Sequence, residues 1–304
     1  MTSPDIQWYP GHIAKAEKAL VNQLNRVDVV LEVRDARIPL ATRHPNVDTW
    51  VGEKNRVLVI NRVDMISDAA RTAWEDWFKQ QGEVPYFTNA QHGQGVKAIA
   101  KAAQTAGEAV NQRRLSRGMK PRPVRAVVIG FPNVGKSALI NRLLNRKAAA
   151  SARRAGITRQ LRWIRVAGEL DLLDAPGVIP SRLDDQDAAL KLAICDDIGE
   201  AAYDTQRTAA AFFDLLKDLQ QGPQHDTYRP ILQERYGLNI DDHTGEGFLA
   251  QLAAQKFQDD QERAAKRVLN DFRIGMLGQW ILEWPPLNES VAVLPPVNQG
   301  AAQE

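Results

Sequence analysis

Gly130-Phe131-Pro132-Asn133-Val134-Gly135-Lys136-Ser137 sets two glycines five positions apart and follows the second with Lys-Ser. The apolar β-branched stretch ahead of it, Val124–Ile129, reads as a buried strand, and Ala138–Asn145 behind it reads as a helix. Strand, glycine turn and helix in that order make a phosphate-binding loop. Backbone N–H groups of Val134, Gly135, Lys136, Ser137 and Ala138 can close around phosphate oxygens, and the start of the helix adds positive potential. Lys136 is placed to neutralise the β and γ oxygens, and the Ser137 hydroxyl to ligate Mg²⁺.

Upstream, Asn61-Arg62-Val63-Asp64 closes a second apolar strand, Arg56–Ile60, and resembles the Asn-Lys-x-Asp pattern that reads guanine. A buried carboxylate at Asp64 accepts from both N1–H and N2–H₂ of guanine, a donor pair that adenine does not offer. Arg62 stands where lysine is usual, and its planar guanidinium can stack on a base. Asp64 as a helix cap is the plainer reading of the same residue. Thr88-Asn89-Ala90, after the strand Val84–Phe87, matches the loop whose backbone meets the guanine oxygen. Downstream, Asp174-Ala-Pro-Gly177 ends the strand Glu169–Leu173. There Asp174 would hold a Mg²⁺ water and the Gly177 N–H would sense the γ-phosphate, with Thr158 between the two motifs as the switch threonine and a further Mg²⁺ ligand.

The order of these motifs is unusual. A common small GTPase places the phosphate loop first and the base motif last, whereas here residues 61–64 precede 130–137, which precede 174–177. Moving the first three strands behind the last three restores the usual order, so the expected fold is an α/β, circularly permuted P-loop GTPase domain. Its six-stranded mixed sheet uses strands at 27–33, 56–60, 84–87, 124–129, 161–166 and 169–173, with helices near 13–25, 68–80, 95–110 and 137–146. The last two strands are joined by so few residues that they should form an antiparallel hairpin. Segment 111–123 then bridges the ends fused by the permutation.

Beyond about 185 alanine- and leucine-rich amphipathic stretches replace the strands. They predict a smaller all-α domain over 186–284 after a G domain over 1–185, and a Pro-punctuated, disordered tail over 285–304. In the last long helix Ala265, Val268, Leu269, Phe272 and Met276 form an apolar stripe read as core. Arg263, Lys266, Arg267, Asn270 and Arg273 form a polar stripe read either as a solvated face or as an RNA contact.

Charge is segregated along the chain: residues 111–168 carry fifteen Lys and Arg and no acid, while 169–304 carry eleven against twenty-four Asp and Glu. Nucleotide phosphates need Lys136 and at most one more cation, so the excess points to a second, polyanionic partner such as RNA. The single cysteine, Cys195, excludes a disulfide framework or a Cys-built zinc module. With no leader-like start and no apolar run of the ~18 residues a membrane span needs, a cytoplasmic enzyme without membrane or DNA partners is expected.

With these residues in this order, the chain resembles the YlqF/RbgA family of circularly permuted GTPases, the ribosome biogenesis GTPase A family. Trp8-Tyr9-Pro10-Gly11-His12, Asp35-Ala36-Arg37-Ile38-Pro39-Leu40 and the run from Ala265 to Gly275 also fit that family, so the resemblance spans about 1–284. It implies GTP and GDP as ligands, Mg²⁺ as cofactor, and a ribosome-stimulated GTP hydrolase. It implies further that a late large-subunit precursor and its rRNA are the partners, bound in the GTP state and left on hydrolysis. Val178 occupies the place where Ras-like enzymes keep a water-positioning glutamine. His12, in the Pro-Gly-His turn, is a candidate for that catalytic task, with a helix cap or an rRNA contact as the alternatives. Asn133 resembles the asparagine of K⁺-activated GTPases, where a potassium ion supplies charge that an arginine finger brings elsewhere.

Overall fold

The computed structural model describes residue 6 and residues 11–144, 162–166, 170–175, 177, 179–180, 183–219 and 227–286, with the backbone alone for 11–16 and 162. Thr158, Val178 and the tail beyond 286 lie outside the described residues.

Six strands form one sheet in the order β3-β2-β1-β4-β6-β5. They are β1 (Val29–Asp35), β2 (Asn55–Asn61), β3 (Pro85–Thr88), β4 (Val124–Ile129), β5 (Arg162–Val166) and β6 (Leu170–Asp174). All neighbours are parallel except β5 and β6, the expected antiparallel pair. β1 begins and ends two residues later than the apolar run suggests. Arg34 and Asp35 look like a turn, yet Arg34 pairs with Glu32 at 2.7 Å and Arg37 with Asp35 at 2.8 Å, all buried, so paired charges continue the strand where apolar residues stop.

Alternation in the strands sends side chains to two helical layers. Val57 and Val59 of β2, with Val124, Ala126 and Val128 of β4, pack in a cluster with α4 (Val96–Ser116) and α5 (Lys136–Leu143). Val127 and Ile129 of β4, with Leu173 of β6, pack with α1 (Gly11–Leu24) and α2 (Val47–Val51). Leu58 and Ile60 of β2 meet Trp74 and Phe78 of α3 (Asp68–Gln80). The bridge is shorter than expected: residues 111–116 continue α4, and 117–123 alone make the connection.

The remaining helices are α6 (Gln186–Cys195), α7 (Thr205–Asp218), α8 (Tyr228–Tyr236), α9 (Gly245–Lys256) and α10 (Gln261–Arg273). Asp185, Asp204, Thr244 and Asp260 cap α6, α7, α9 and α10, each accepting a backbone N–H at the third position. Phe212 and Phe213 of α7, Phe248 of α9 and Phe272 of α10 form the aromatic centre, with ring centroids 4.2–5.8 Å apart. One expectation needs correcting. Met276 is 53 % exposed and not core, because α10 stops at Arg273 and Gly275 turns the chain with φ 79°. The polar stripe is the exposed face of α10: Arg263, Lys266, Arg267 and Asn270 are exposed, with Lys266 paired to Glu262 and Arg267 to Asp271 along the helix, while half-buried Arg273 clamps the Ala193 and Ile194 carbonyls at the end of α6.

After α10 the chain is not helical. It runs back as a strap along the sheet domain: Leu282 donates to the Arg37 carbonyl (3.0 Å), Leu40 N–H donates to Glu283 (2.9 Å), and Trp74 Nε1 donates to the Glu283 carbonyl (3.3 Å).

Candidate nucleotide site

β4 ends at Ile129 and the chain must turn at once into α5. Gly130 takes φ 148° with no room for a Cβ, which would lie 2.3 Å from the Val33 carbonyl of the neighbouring strand. Gly135, at φ 100°, precedes the first residue of α5, and a Cβ there would lie 2.0 Å from Asn61 Nδ2. Asn61 is the reason for that closeness. Its amide donates to the Val134 carbonyl (2.7 Å) and its Oδ1 accepts from Ala90 N–H (3.0 Å), so one buried side chain ties β2, the loop after β3 and the phosphate loop together.

Arg62, in the left-handed region at φ 65°, donates through Nη2 to the Asn133 carbonyl (2.7 Å) and pairs through Nε with Asp35 (3.3 Å). It therefore spans from the base motif to the phosphate loop, as the usual lysine would, and its fork serves two partners. Asp64 is exposed, a correction to the buried carboxylate expected from sequence. It does not cap the next helix either: Ser67 does so for α3. The Asp64 carbonyl accepts from Gln279 of the C-terminal strap (3.1 Å), a contact between the base motif and the end of the chain that no sequence signal announced. Thr88 and Asn89 are buried, and both bond the Gln94 carbonyl, which closes the loop that carries Ala90.

Lys136 is buried, with Nζ donating to the Gly130 (3.0 Å) and Phe131 (2.6 Å) carbonyls. Ser137 and Ala138 follow in the first turn of α5, half-buried. Asp174 ends β6. Its Oδ1 is buried without a hydrogen-bond partner, and burial pushes its carboxyl up while Lys136 pulls it down. Gly177 packs on the phosphate loop, where a Cβ would stand 2.8 Å from Pro132. An orphaned, buried carboxylate oxygen within reach of the Lys136 charge suits a hard cation with oxygen ligands. His12 lies in the first turn of α1 and not in a turn ahead of it; its side chain is outside the described residues.

Asn133, at φ 57°, donates Nδ2 to the carbonyl of Asp196 (2.7 Å), the left-handed residue that ends α6. Behind it lies a buried charge cluster that sequence reasoning missed. Burial pushes Asp35 up, but Arg37 and Arg62 hold it below the usual carboxylate range. Burial and the neighbouring Asp35 push Asp197 well above that range, and neither of its oxygens has a hydrogen-bond partner. Cys195 is buried beside them, and burial raises its thiol. The sequence carries a hint of this cluster in Asp35-Ala36-Arg37, but its partners are more than 150 residues away.

Burial lowers the Lys136 ammonium to about 8, against the pull of Asp174 and Asp197. Its folded value is below the usual 10.5, so between those limits the unfolded chain holds a proton that the folded chain has released. The nucleotide-free protein should therefore gain stability as pH rises through that window, by up to ~3 kcal/mol at 1.36 kcal/mol per unit. Phosphate binding has the opposite sign, since oxyanions favour the ammonium: GDP affinity should hold steady below pH 8 and fall by up to about tenfold per unit above it. Melting curves and GDP titrations from pH 7 to 10 check both. Lys136→Met should lose the stability rise, and an unchanged rise in that variant would remove Lys136 as its source.

Residues 125–221 match a family described as 50S ribosome-binding GTPase. The chain is 34% identical over 288 residues to ribosome biogenesis GTPase A of Bacillus cereus, covering 92% of this chain and 94% of that protein. It is 30% identical over 211 residues to ribosome biogenesis GTPase A of Thermotoga maritima, covering 69% and 73%. Its fold is similar to the crystal structure of GNP-bound YlqF from T. maritima, with a TM-score of 0.58 at 24% identity over 89% of this chain and 98% of that one.

Proposed function

The chain belongs to the ribosome biogenesis GTPase A family, and on that premise we propose that it is a Mg²⁺-dependent, K⁺-stimulated GTPase that assists assembly of the large ribosomal subunit. It binds a large-subunit precursor through rRNA in its GTP state, leaves on hydrolysis, and works in the cytoplasm. The observation that carries this reading is the Asn61 side chain, which joins base motif, Ala90 loop and phosphate loop despite the permuted order. No helix among the described residues is long and apolar enough to cross a membrane.

In this reading Asp64 accepts from guanine, Arg62 and the Thr88-Asn89-Ala90 loop frame the base, and residues 133–138 cradle the phosphates. Ser137, Asp174 and Thr158 would hold Mg²⁺, which would supply positive charge to the β and γ oxygens. The Asn133 amide nitrogen donates to the Asp196 carbonyl, so its Oδ1 would be the atom left to hold a potassium ion. Gly177, packed on Pro132, reports the γ-phosphate. The domain division at about 185 follows the last strand of the sheet, with α6 to α10 as the helical domain.

Val178 cannot orient water, so that task falls to His12, carried on the first turn of α1. The test is co-sedimentation with large-subunit particles in GTP-analogue and GDP states, together with multiple-turnover phosphate release, for wild type and His12→Ala. Binding should favour the GTP-analogue state. His12→Ala should keep nucleotide affinity and particle binding while stimulated turnover drops by at least ~10²-fold. Normal stimulated turnover would remove His12 from catalysis, and equal sedimentation in both states would count against the assembly cycle.

A further inference from the structure

Along the β5 side of the sheet, reaching down to the starts of β4 and β6, lies an open depression of about 680 Å³, lined by Arg26, Arg125, Trp163, Ile164, Arg165 and Asp171. Strand register explains how it forms. Arg125 of β4 pairs with Asp171 of β6, which pairs with Arg165 of β5, so these three lie in one row on one face. Trp163 pairs with Leu173 and so lies on that same face. There Leu173 and Val127 are covered by α1 and α2, but Trp163, on the edge strand beyond them, is 37 % exposed.

An exposed tryptophan on an open sheet face asks for a partner with a flat apolar surface. The charges around it say which. Arg125 lies over the Trp163 ring at 5.7 Å, Arg165 pairs with Asp171 at 3.1 Å, and Arg26 is exposed at the rim, so three guanidinium groups face one carboxylate. Arg113 and Arg114, in the last turn of α4, belong to the other face of the sheet and are not part of this surface. Arg122, just ahead of β4, is engaged in a two-pronged pair with Asp28. A cationic surface with one aromatic platform matches unpaired nucleic acid, whose bases are free to stack; a duplex keeps its bases stacked inside.

We propose that this depression binds an unpaired stretch of RNA, one base stacking on Trp163 and the flanking phosphates lying on Arg26, Arg125 and Arg165. This deepens the ribosomal role proposed above and rests on it. Arg26, Arg125 and Arg165 lie toward the end where β1, β4 and β6 begin, away from the phosphate loop, whereas Trp163, level with Leu173, stands one residue from the level of Asp174 but one strand further out, on the edge. Trp163 is on the edge strand and Arg26 outside the sheet, so replacing either leaves the contacts that shape the phosphate loop in place.

The test uses a fluorescein-labelled twelve-nucleotide uridine RNA, with an RNA duplex of equal length as control, read by anisotropy on the full chain. Wild type should prefer the single strand. Trp163→Ala should weaken binding about tenfold or more while Trp163→Phe stays within about threefold, as expected of stacking. Arg26→Glu should weaken binding and flatten the log–log salt slope by about 0.7 for each phosphate no longer neutralised. GDP affinity should be unchanged in all three. No single-strand binding by wild type, equal binding of the duplex, or wild-type affinity in Trp163→Ala would each overturn the site. Should Trp163→Ala lose GDP affinity, and so its fold, Arg26→Glu decides alone: it is exposed and outside the sheet, and undiminished binding there overturns the proposal. Particle sedimentation of the wild type separates the two levels, since a protein that sediments normally but binds the uridine RNA independently of Trp163 keeps the ribosomal role and loses this site.

Discussion

Asp64→Asn should lower GTP affinity by ~10²-fold or more and create affinity for xanthosine triphosphate. Two hydrogen bonds to a charged acceptor, at about 1.5–3 kcal/mol each, set the scale of the loss. The replacement amide presents one donor and one acceptor where guanine needs two acceptors, so N1–H or N2–H₂ meets another donor. Xanthine carries an oxygen at C2 that accepts from the new amide. Asp64 is exposed at the mouth of the base loop, so the substitution should leave the fold intact and its effect should be confined to binding. Its carbonyl, the atom that receives Gln279, is unaltered by the change. Competition between labelled GDP and the two triphosphates measures both arms. Unchanged GTP affinity would take Asp64 out of the base site.

The sheet was legible in the sequence because its central strands are buried on both faces and read as unbroken β-branched runs, and because glycine and Lys-Ser fall where a phosphate loop requires them. Charge hid the rest. β1 continues through Arg34 and Asp35 because Glu32 and Arg37 pair with them inside the protein, which no apolar pattern can reveal. α4 runs on to Ser116 through Gln112, Arg113 and Arg114, good helix formers whose polarity suggested a linker. The strap was invisible for a different cause. Ile281 and Glu283 have no periodicity of their own, and their places are set by Trp74, Leu40 and Ala41, more than 200 residues earlier. The same holds at the site: Asn61, Gly135 and Lys136 could be picked from their motifs, whereas the hold of Asp196 on Asn133 depends on a helix end from the other half of the chain.

That division between local motif and long-range tether gives the second large effect. Gly135→Ala should reduce affinity for GTP and GDP alike, by ~10²-fold or more, for two separable reasons. A φ of 100° is strained for any residue with a side chain, at a cost of about 1–3 kcal/mol. The added Cβ would also stand 2.0 Å from Asn61 Nδ2, so Asn61 must leave the Val134 carbonyl or the loop must open. Either movement breaks the tether by which Asn61, beside Arg62, holds the base loop and the phosphate cradle in register. Asn61→Ala removes the obstacle and the tether together. In the double variant Gly135→Ala, Asn61→Ala the clash is gone and only the backbone strain adds to the missing tether, so the combined loss should be smaller than the product of the two single losses, by about tenfold. Fluorescent-GDP titrations of the four proteins measure this coupling directly. Strictly multiplicative losses would mean that the Cβ never meets Asn61 in solution, and that the tether seen between Asn61 and Val134 is not what keeps the cradle closed.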